Sequence, residues 1–295
     1  GTQAEQTAAI MVRFEKELME HHPDLILVVG DVTSTMACTI TAKKLCIDAV
    51  HVEAGIRSGD MTMPEEINRI VTDSITDHFF TTSEVANQHL RQAGIGSERI
   101  HFVGNTMIDS LMGNLNRLLK PEMWDSQQLM PGKYFLLTLH RPANVDDPAN
   151  LDHLLATIME CTGDLPVIFP VHPRTKKILD SIGFNNPKLV LAEPMAYLEF
   201  IFLVKNALAI ITDSGGITEE ATVLGVPCMT MRDSTERPET ITMGTNELVG
   251  TDPAKLVPYL EKIMQGTWKK GSIPPLWDGK TAERIVQKLE ELYIS

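Results

Sequence analysis

Ile211-Thr212-Asp213-Ser214-Gly215-Gly216-Ile217-Thr218-Glu219-Glu220 is the stretch that decides how this chain is read. An apolar run, 207–211, feeds a Ser-Gly-Gly turn that opens directly into a helical pattern. The N–H groups freed at a helix start, the positive end of its dipole and glycines that admit a close approach together make an anion site. Glu219 and Glu220 suit the dipole in that first turn, and one of them could instead accept hydrogen bonds from a ribose diol. The alternative is a plain strand-to-helix turn capped by Asp213 or Ser214.

On either side of this decapeptide, apolar β-branched runs alternate with helical patterns: 25–29, 49–52, 78–81, 100–103, 134–139, 167–170, 189–191, 208–212 and 228–231. Such alternation predicts parallel sheets. Between 118 and 132 the pattern lapses into a stretch with Pro121, Gln127, Gln128, Pro131 and Gly132, which reads as the connection between two Rossmann-like halves. The expected organisation is therefore α/β: an N-terminal domain over 1–120, a nucleotide-binding domain over 121–279, and a cleft between them. A last helix over 280–295, with Ile285, Val286, Leu289, Leu292 and Tyr293 at helical spacing, is expected to rejoin the first domain and pack back across the cleft. The chain begins with a helix over 4–20 rather than a strand, so a first sheet built from the four early strands is expected to be incomplete, with an apolar edge.

Composition limits the partners. With 295 residues the chain is long enough for two domains, and 26 Lys plus Arg against 39 Asp plus Glu give a net charge of −13. That balance argues against an extended nucleic-acid or anionic-membrane surface, so an anionic ligand needs a local basic pocket. Apolar runs fall far short of the roughly 20 residues that span a bilayer, and no signal-peptide pattern opens the chain, so cytoplasm is the expected compartment. Cys38, Cys46, Cys161 and Cys228 lack a C-x-x-C pair, which reads as reduced, mostly buried thiols.

Titratable groups gather just beyond strand ends, where open α/β sheets bind ligands. In the first half these are Asp31, Glu53 with Arg57 in His-Val-Glu-Ala-Gly-Ile-Arg, and Glu65 with Glu66 at a helix start. An acidic pair at a helix start also suits the dipole, whereas crowded carboxylates push their pKa values apart into a proton donor and a proton acceptor. The second half supplies His140-Arg141 and His172 with Arg174, each pairing an imidazole with a guanidinium suited to phosphate. No His, Asp and Glu set has metal-ligand spacing, and no dinucleotide G-x-G-x-x-G stands out.

Seven motifs in order resemble the UDP-N-acetylglucosamine 2-epimerase family. They are Gly30-Asp31, His51 to Arg57, Pro64 to Arg69, Gly104-Asn105-Thr106, His140-Arg141, Thr212 to Gly216 with Glu219-Glu220, and Arg232-Asp233 with Glu236 to Glu239. The resemblance implies a glycosyltransferase-B-like fold with substrate in the interdomain cleft. It also implies an initial strand and a Gly-Thr-Arg-Pro-Glu loop, which this sequence does not contain. By motif, Asp31, Glu53, Glu65 and His140 match the family's catalytic positions. Ser214, Gly215 and Gly216 would hold the diphosphate, and Glu220 the ribose. Arg237 would approach the nucleotide, Phe200 would offer its backbone to uracil, and His172 would contact substrate or phosphate. The implied reaction eliminates UDP to a 2-acetamidoglucal and adds it back, with no cofactor, in a homodimer that feeds surface-polysaccharide synthesis. Hydrolytic release of N-acetylmannosamine, action on a modified UDP-sugar, and a non-catalytic UDP-sugar-binding remnant are the alternatives.

Overall fold

The β-branched runs form parallel strands, as their alternation with helical segments requires. The structure, a computed structural model, describes residues 1–294 and divides into two units. One comprises Gly1–Asp109 together with the chain from Pro275 onward; the other is Ser110–Pro274.

In the first unit, β1 (Leu25–Val29), β2 (Asp48–Ala54), β3 (His78–Thr81) and β4 (Ile100–Phe102) form one parallel sheet in the order β1-β2-β3-β4. The opening helix, Gln3–His21, starts at a capping box: Thr2 Oγ1 accepts the Glu5 N–H at 3.2 Å and Glu5 Oε2 accepts the Thr2 N–H at 2.7 Å. Such a pair contributes about 1 kcal/mol. Ile26 and Val28 are buried with Leu18, Ala42 and Ala49, whereas Leu27 and Val29 on the other face of β1 remain 44% and 48% exposed. Among the described residues, β1 pairs on one side only.

The last helix, Thr281–Tyr293, lays Ile285, Leu289 and Tyr293 on Val50, Val52, Phe80 and Val103. Val286, expected on the same apolar face, is exposed, because one residue's advance turns it about 100° away. Asp109 anchors the start of this helix by accepting the N–H groups of Thr281 at 3.0 Å and Ala282 at 2.7 Å. Just ahead of it, Trp277 is 2% exposed and its indole N–H donates to the Thr82 carbonyl at 3.0 Å.

The second unit holds β5 (Phe135–Thr138), β6 (Val167–Pro170), β7 (Leu189–Ala192), β8 (Ala209–Thr212), β9 (Cys228–Thr230) and β10 (Asn246–Leu248), ordered β10-β9-β8-β5-β6-β7. β10 escapes sequence reading: it is three residues, Asn-Glu-Leu, added at the edge beside β9. The strand order reverses between β5 and β8, so the loops leaving their carboxyl ends diverge and open a crevice. Phe135, Leu137, Phe169, Ile211 and Met229 form the core with the helices Pro148–Cys161 and Pro253–Met264.

The 118–132 stretch, read as a connection from its Pro and Gln content, packs instead within the second unit. Trp124 sets its ring edge-on to Tyr134 at 5.8 Å and Phe202 at 5.1 Å, and the units part earlier, inside the helix Thr106–Asn114. All four cysteines are free, but only Cys228 is buried and Cys46 is exposed. No helix among the described residues is long and apolar enough to cross a membrane.

Candidate functional site

Candidate groups gather separately in each unit, in each case beyond strand ends. In the first unit Gly30 turns the chain out of β1 at φ 69° and presents Asp31. Arg69, from the helix Pro64–Ile75, grips one Asp31 oxygen through Nε at 2.9 Å and Nη2 at 2.6 Å, while its Nη1 donates to Glu66 at 2.7 Å. Glu66 also accepts the N–H groups of Ser58 at 2.9 Å and Gly59 at 3.0 Å. Burial by itself would raise the Glu66 carboxyl, but the Ser58 amide, the Arg69 guanidinium and the Gly59 amide outweigh it and hold it below the usual range. The Glu65-Glu66 pair is thus divided. Glu66 organises the loop, and Glu65, half-buried in the first helical turn, stays outside that network.

Glu53 occupies the left-handed region at φ 69°, at a register shift between Val52 and Ala54 where β2 bulges against β3. A bulge re-aims one side chain at the cost of local strain. Thr106 Oγ1 donates to Glu53 Oε1 at 3.3 Å. Arg57 is bound to the buried Asp73 at 2.6 Å. Asp73 also accepts His51 Nδ1 at 2.7 Å and the Gly55 N–H at 3.1 Å, and His51 Nε2 contacts the Gly30 carbonyl at 2.8 Å. His51 and Asp73 therefore brace the two strand ends from which Asp31 and Glu53 emerge. Burial opposes ionisation of Asp73, and the His51 and Arg57 contacts more than offset it.

The second unit converges on Asp213 at the end of β8. This side chain is 0% exposed and accepts the backbone N–H of Arg141 at 2.9 Å, the Asn144 amide at 3.0 Å and the His140 backbone N–H at 3.1 Å. His140 Nδ1 lies 2.8 Å from its Oδ1. Burial would raise this carboxyl, but the His140, Asn144 and Arg141 bonds hold it below the usual range. The Asp213 carbonyl receives Arg141 Nε at 3.1 Å, and the Ser214 N–H donates to Thr212 Oγ1 at 3.0 Å. Ser214 is the N-cap of the helix Gly215–Leu224 and makes no side-chain cap bond, so its hydroxyl is not spent on the first-turn N–H groups. Arg232 adds a cation 3.8 Å from where a Gly215 Cβ would stand, and is itself held by Glu236 at 2.7 and 2.8 Å.

The two acids after the glycines have different partners. Glu219 binds Arg237 Nε, whereas Glu220 accepts the Tyr197 hydroxyl at 2.9 Å. Burial, opposed by the Tyr197 bond and aided by the Glu219 charge, pushes Glu220 up to about 7. Phe200 lies in the helix Tyr197–Asn206 with its N–H given to the Ala196 carbonyl at 3.0 Å. His172 caps the helix Pro173–Ile182, its Nδ1 accepting the Arg174 N–H at 3.3 Å. Sequence reading missed Asp213 as a hub, as well as Asn144, Tyr197 and Arg69. The available signal was the strand-end position of Asp213 between two clusters already singled out.

The family model for UDP-N-acetylglucosamine 2-epimerase matches residues 1–290. The chain belongs to the UDP-N-acetylglucosamine 2-epimerase family. Among members of that family, the UDP-N-acetylglucosamine 2-epimerase of Methanocaldococcus jannaschii is 43% identical over 301 residues, spanning 98% of this chain and 81% of the relative. A crystal structure of the M. jannaschii UDP-GlcNAc 2-epimerase in complex with UDP-GlcNAc and UDP superimposes with a TM-score of 0.84, covering 99% of this chain and 82% of that one. The UDP-2,3-diacetamido-2,3-dideoxy-D-glucuronate 2-epimerase of Pseudomonas aeruginosa is 38% identical over 253 residues, 85% of this chain and 70% of the relative. The two parallel sheets are accordingly those of the family's glycosyltransferase-B-like fold, as the resemblance implied.

Proposed function

We propose that this chain interconverts UDP-N-acetylglucosamine and UDP-N-acetylmannosamine by eliminating UDP across C1–C2 and adding it back. The observation that carries the reading is the convergence of His140, Arg141 and the Ser214-Gly215-Gly216 turn on Asp213 in a chain of this family. A carboxylate among Asp31, Glu53 and Glu65 takes the C2 proton. The C1–O bond then breaks, its electron pair leaves on UDP, and a C1–C2 double bond remains. His140, Arg141 and the N–H groups at the helix start stabilise the departing diphosphate. Re-addition forms the C1–O bond again while a second carboxylate delivers a proton to the opposite face of C2. The sum is redox-neutral, so the reaction consumes no oxidant or reductant.

In this reading Glu220 takes the ribose hydroxyls, and Arg237, fixed by Glu219, approaches the nucleotide. Phe200 borders the uracil, His172 contacts substrate or phosphate, and Arg57 supports the acidic strand ends through Asp73. The protein acts as a cytoplasmic homodimer that supplies surface-polysaccharide synthesis. The P. aeruginosa relative favours a second reading, 2-epimerisation of a diacetamido uronate on UDP.

The test is incubation with UDP-N-acetylglucosamine in deuterated water, followed by NMR at C2. Deuterium at C2 with intact UDP-N-acetylmannosamine supports the proposal, and free N-acetylmannosamine plus UDP moves the assignment to hydrolysis. Absence of exchange with this sugar but exchange with the diacetamido uronate selects the second reading. UDP binding without exchange in either substrate leaves a binding protein.

Glu220 gives an independent prediction. Because its folded-state value is raised to about 7, its neutral form is favoured in the free protein. The stability this confers is present below the unfolded carboxyl range and is lost as pH rises through about 7. A ribose diol donates two hydroxyls to the carboxylate, so binding favours ionisation. UDP binding at pH 7 should release roughly half a proton and tighten from pH 6 to 8. Calorimetry in buffers of different ionisation enthalpy reads the proton count, and Glu220→Gln should abolish it. Equal release in that variant would refute the assignment.

A further inference from the structure

The capping role that its sequence position suggests for Asp213 does not account for its bonds. No part of the side chain meets solvent, and its oxygens receive two backbone N–H groups, the Asn144 amide and the imidazole of His140. We propose that Asp213 is a positioning residue of the reaction, holding His140 with Nδ1 inward and Nε2 turned toward the leaving diphosphate of a UDP-sugar. The inference rests on the epimerase reading for the identity of that diphosphate.

The His140 side chain is 58% exposed, and a histidine so placed would ordinarily exchange rotamers and tautomers freely. A buried carboxylate 2.8 Å from Nδ1 removes that freedom: it takes the Nδ1 proton as a hydrogen bond and orients the ring, as the aspartate does in a Ser-His-Asp triad. The same residue fixes two further elements. Its carbonyl accepts Arg141 Nε at 3.1 Å, and its neighbour Ser214 begins the turn into the helix Gly215–Leu224. Asp213 thus holds the imidazole through its side chain and the guanidinium through its backbone carbonyl, next to the N–H groups of the helix start. It does so at the β5/β8 reversal of strand order, where the two loops part. Donors that are already in place when negative charge develops act on the rate more than on ground-state affinity.

The test measures turnover of UDP-N-acetylglucosamine by the full chain, comparing Asp213→Asn, His140→Asn and the double variant across pH. Asp213→Asn is expected to lower kcat about 100-fold while KM stays within about threefold. In the His140→Asn background the same substitution should lower kcat by less than about threefold, because its target is already gone. An equal 100-fold loss in both backgrounds would show that Asp213 does not act through His140 and would overturn the proposal.

A readout independent of turnover and of variant folding is the ¹⁵N spectrum of the His140 ring in the unaltered chain. A protonated, hydrogen-bonded Nδ1 is expected, and rapid mixing of tautomers overturns the proposal whatever the activity. A fixed Nδ1–H in a chain that transforms no UDP-sugar would overturn the epimerase reading, and with it the catalytic purpose of the arrangement, while upholding the geometry.

Discussion

Replacing Trp277 by alanine is expected to destabilise the first unit by about 3–5 kcal/mol. The indole is almost fully buried and donates to the Thr82 carbonyl at 3.0 Å. Truncation therefore opens a large cavity and also strands a buried acceptor just beyond β3. Its position adds to the effect. Trp277 lies where the chain re-enters the first unit, and the next residue, Asp278, holds Arg284, whose guanidinium reaches the Val103 carbonyl at 3.0 Å. Amide hydrogen exchange resolves the units: protection should fall across β3 and β4 and persist in β5 and β8. Trp277→Phe, which keeps much of the volume but loses the donor and part of the ring, should recover a large part of the deficit. A loss below about 1 kcal/mol for the alanine variant would mean that the indole is not a principal anchor.

Glu53→Gln is expected to lower turnover about 10²–10⁴-fold while leaving the melting transition nearly unmoved. The amide keeps the size of the side chain and can still meet the Thr106 hydroxyl, but it cannot take a proton from carbon. A second substitution separates function from fold. Glu53 holds φ 69° on the β2 bulge, a conformation that costs a residue with a Cβ about 1–2 kcal/mol and glycine almost nothing. Glu53→Gly relieves that strain but gives up the Thr106 bond and adds chain entropy, so it should fold with stability within about 1 kcal/mol of the unaltered chain and have no epimerase activity. Activity of the glycine variant within tenfold of normal would remove Glu53 from the reaction and leave the proton to Asp31 and Glu65.

Strand positions were legible because each core strand of a parallel sheet is a short apolar run rich in β-branched or aromatic residues, so β1, β3 and β6 emerge with the bounds read from sequence. β10 was not, since Asn246-Glu247-Leu248 owes its conformation to pairing with β9 rather than to composition. The same distinction governs the site. Strand-end acids, His140-Arg141 and the Ser-Gly-Gly turn announce themselves by residue type and place. Which of two adjacent acids does what depends on loop and helix geometry that residue type does not record: Glu66 is claimed by Arg69 three residues on and by the Ser58 loop, and Glu219 by Arg237. Asp213 looked like a cap because its hydrogen-bond donors lie about 70 residues earlier in the chain, and no local pattern records them.

The interrupted first unit imposes an order on biosynthesis. Val50, Val52, Phe80 and Val103 emerge from the ribosome with the first 109 residues, but the helix that covers them, Thr281–Tyr293, is translated only after all of Ser110–Pro274. At elongation rates of about 5–20 residues per second, that apolar sheet face waits on the order of ten seconds for its cover. Over the same interval the continuous second unit can complete its own core. Premature termination near Pro274 would therefore leave a finished second unit joined to a first unit whose Val50, Val52, Phe80 and Val103 lack their cover, an aggregation-prone product.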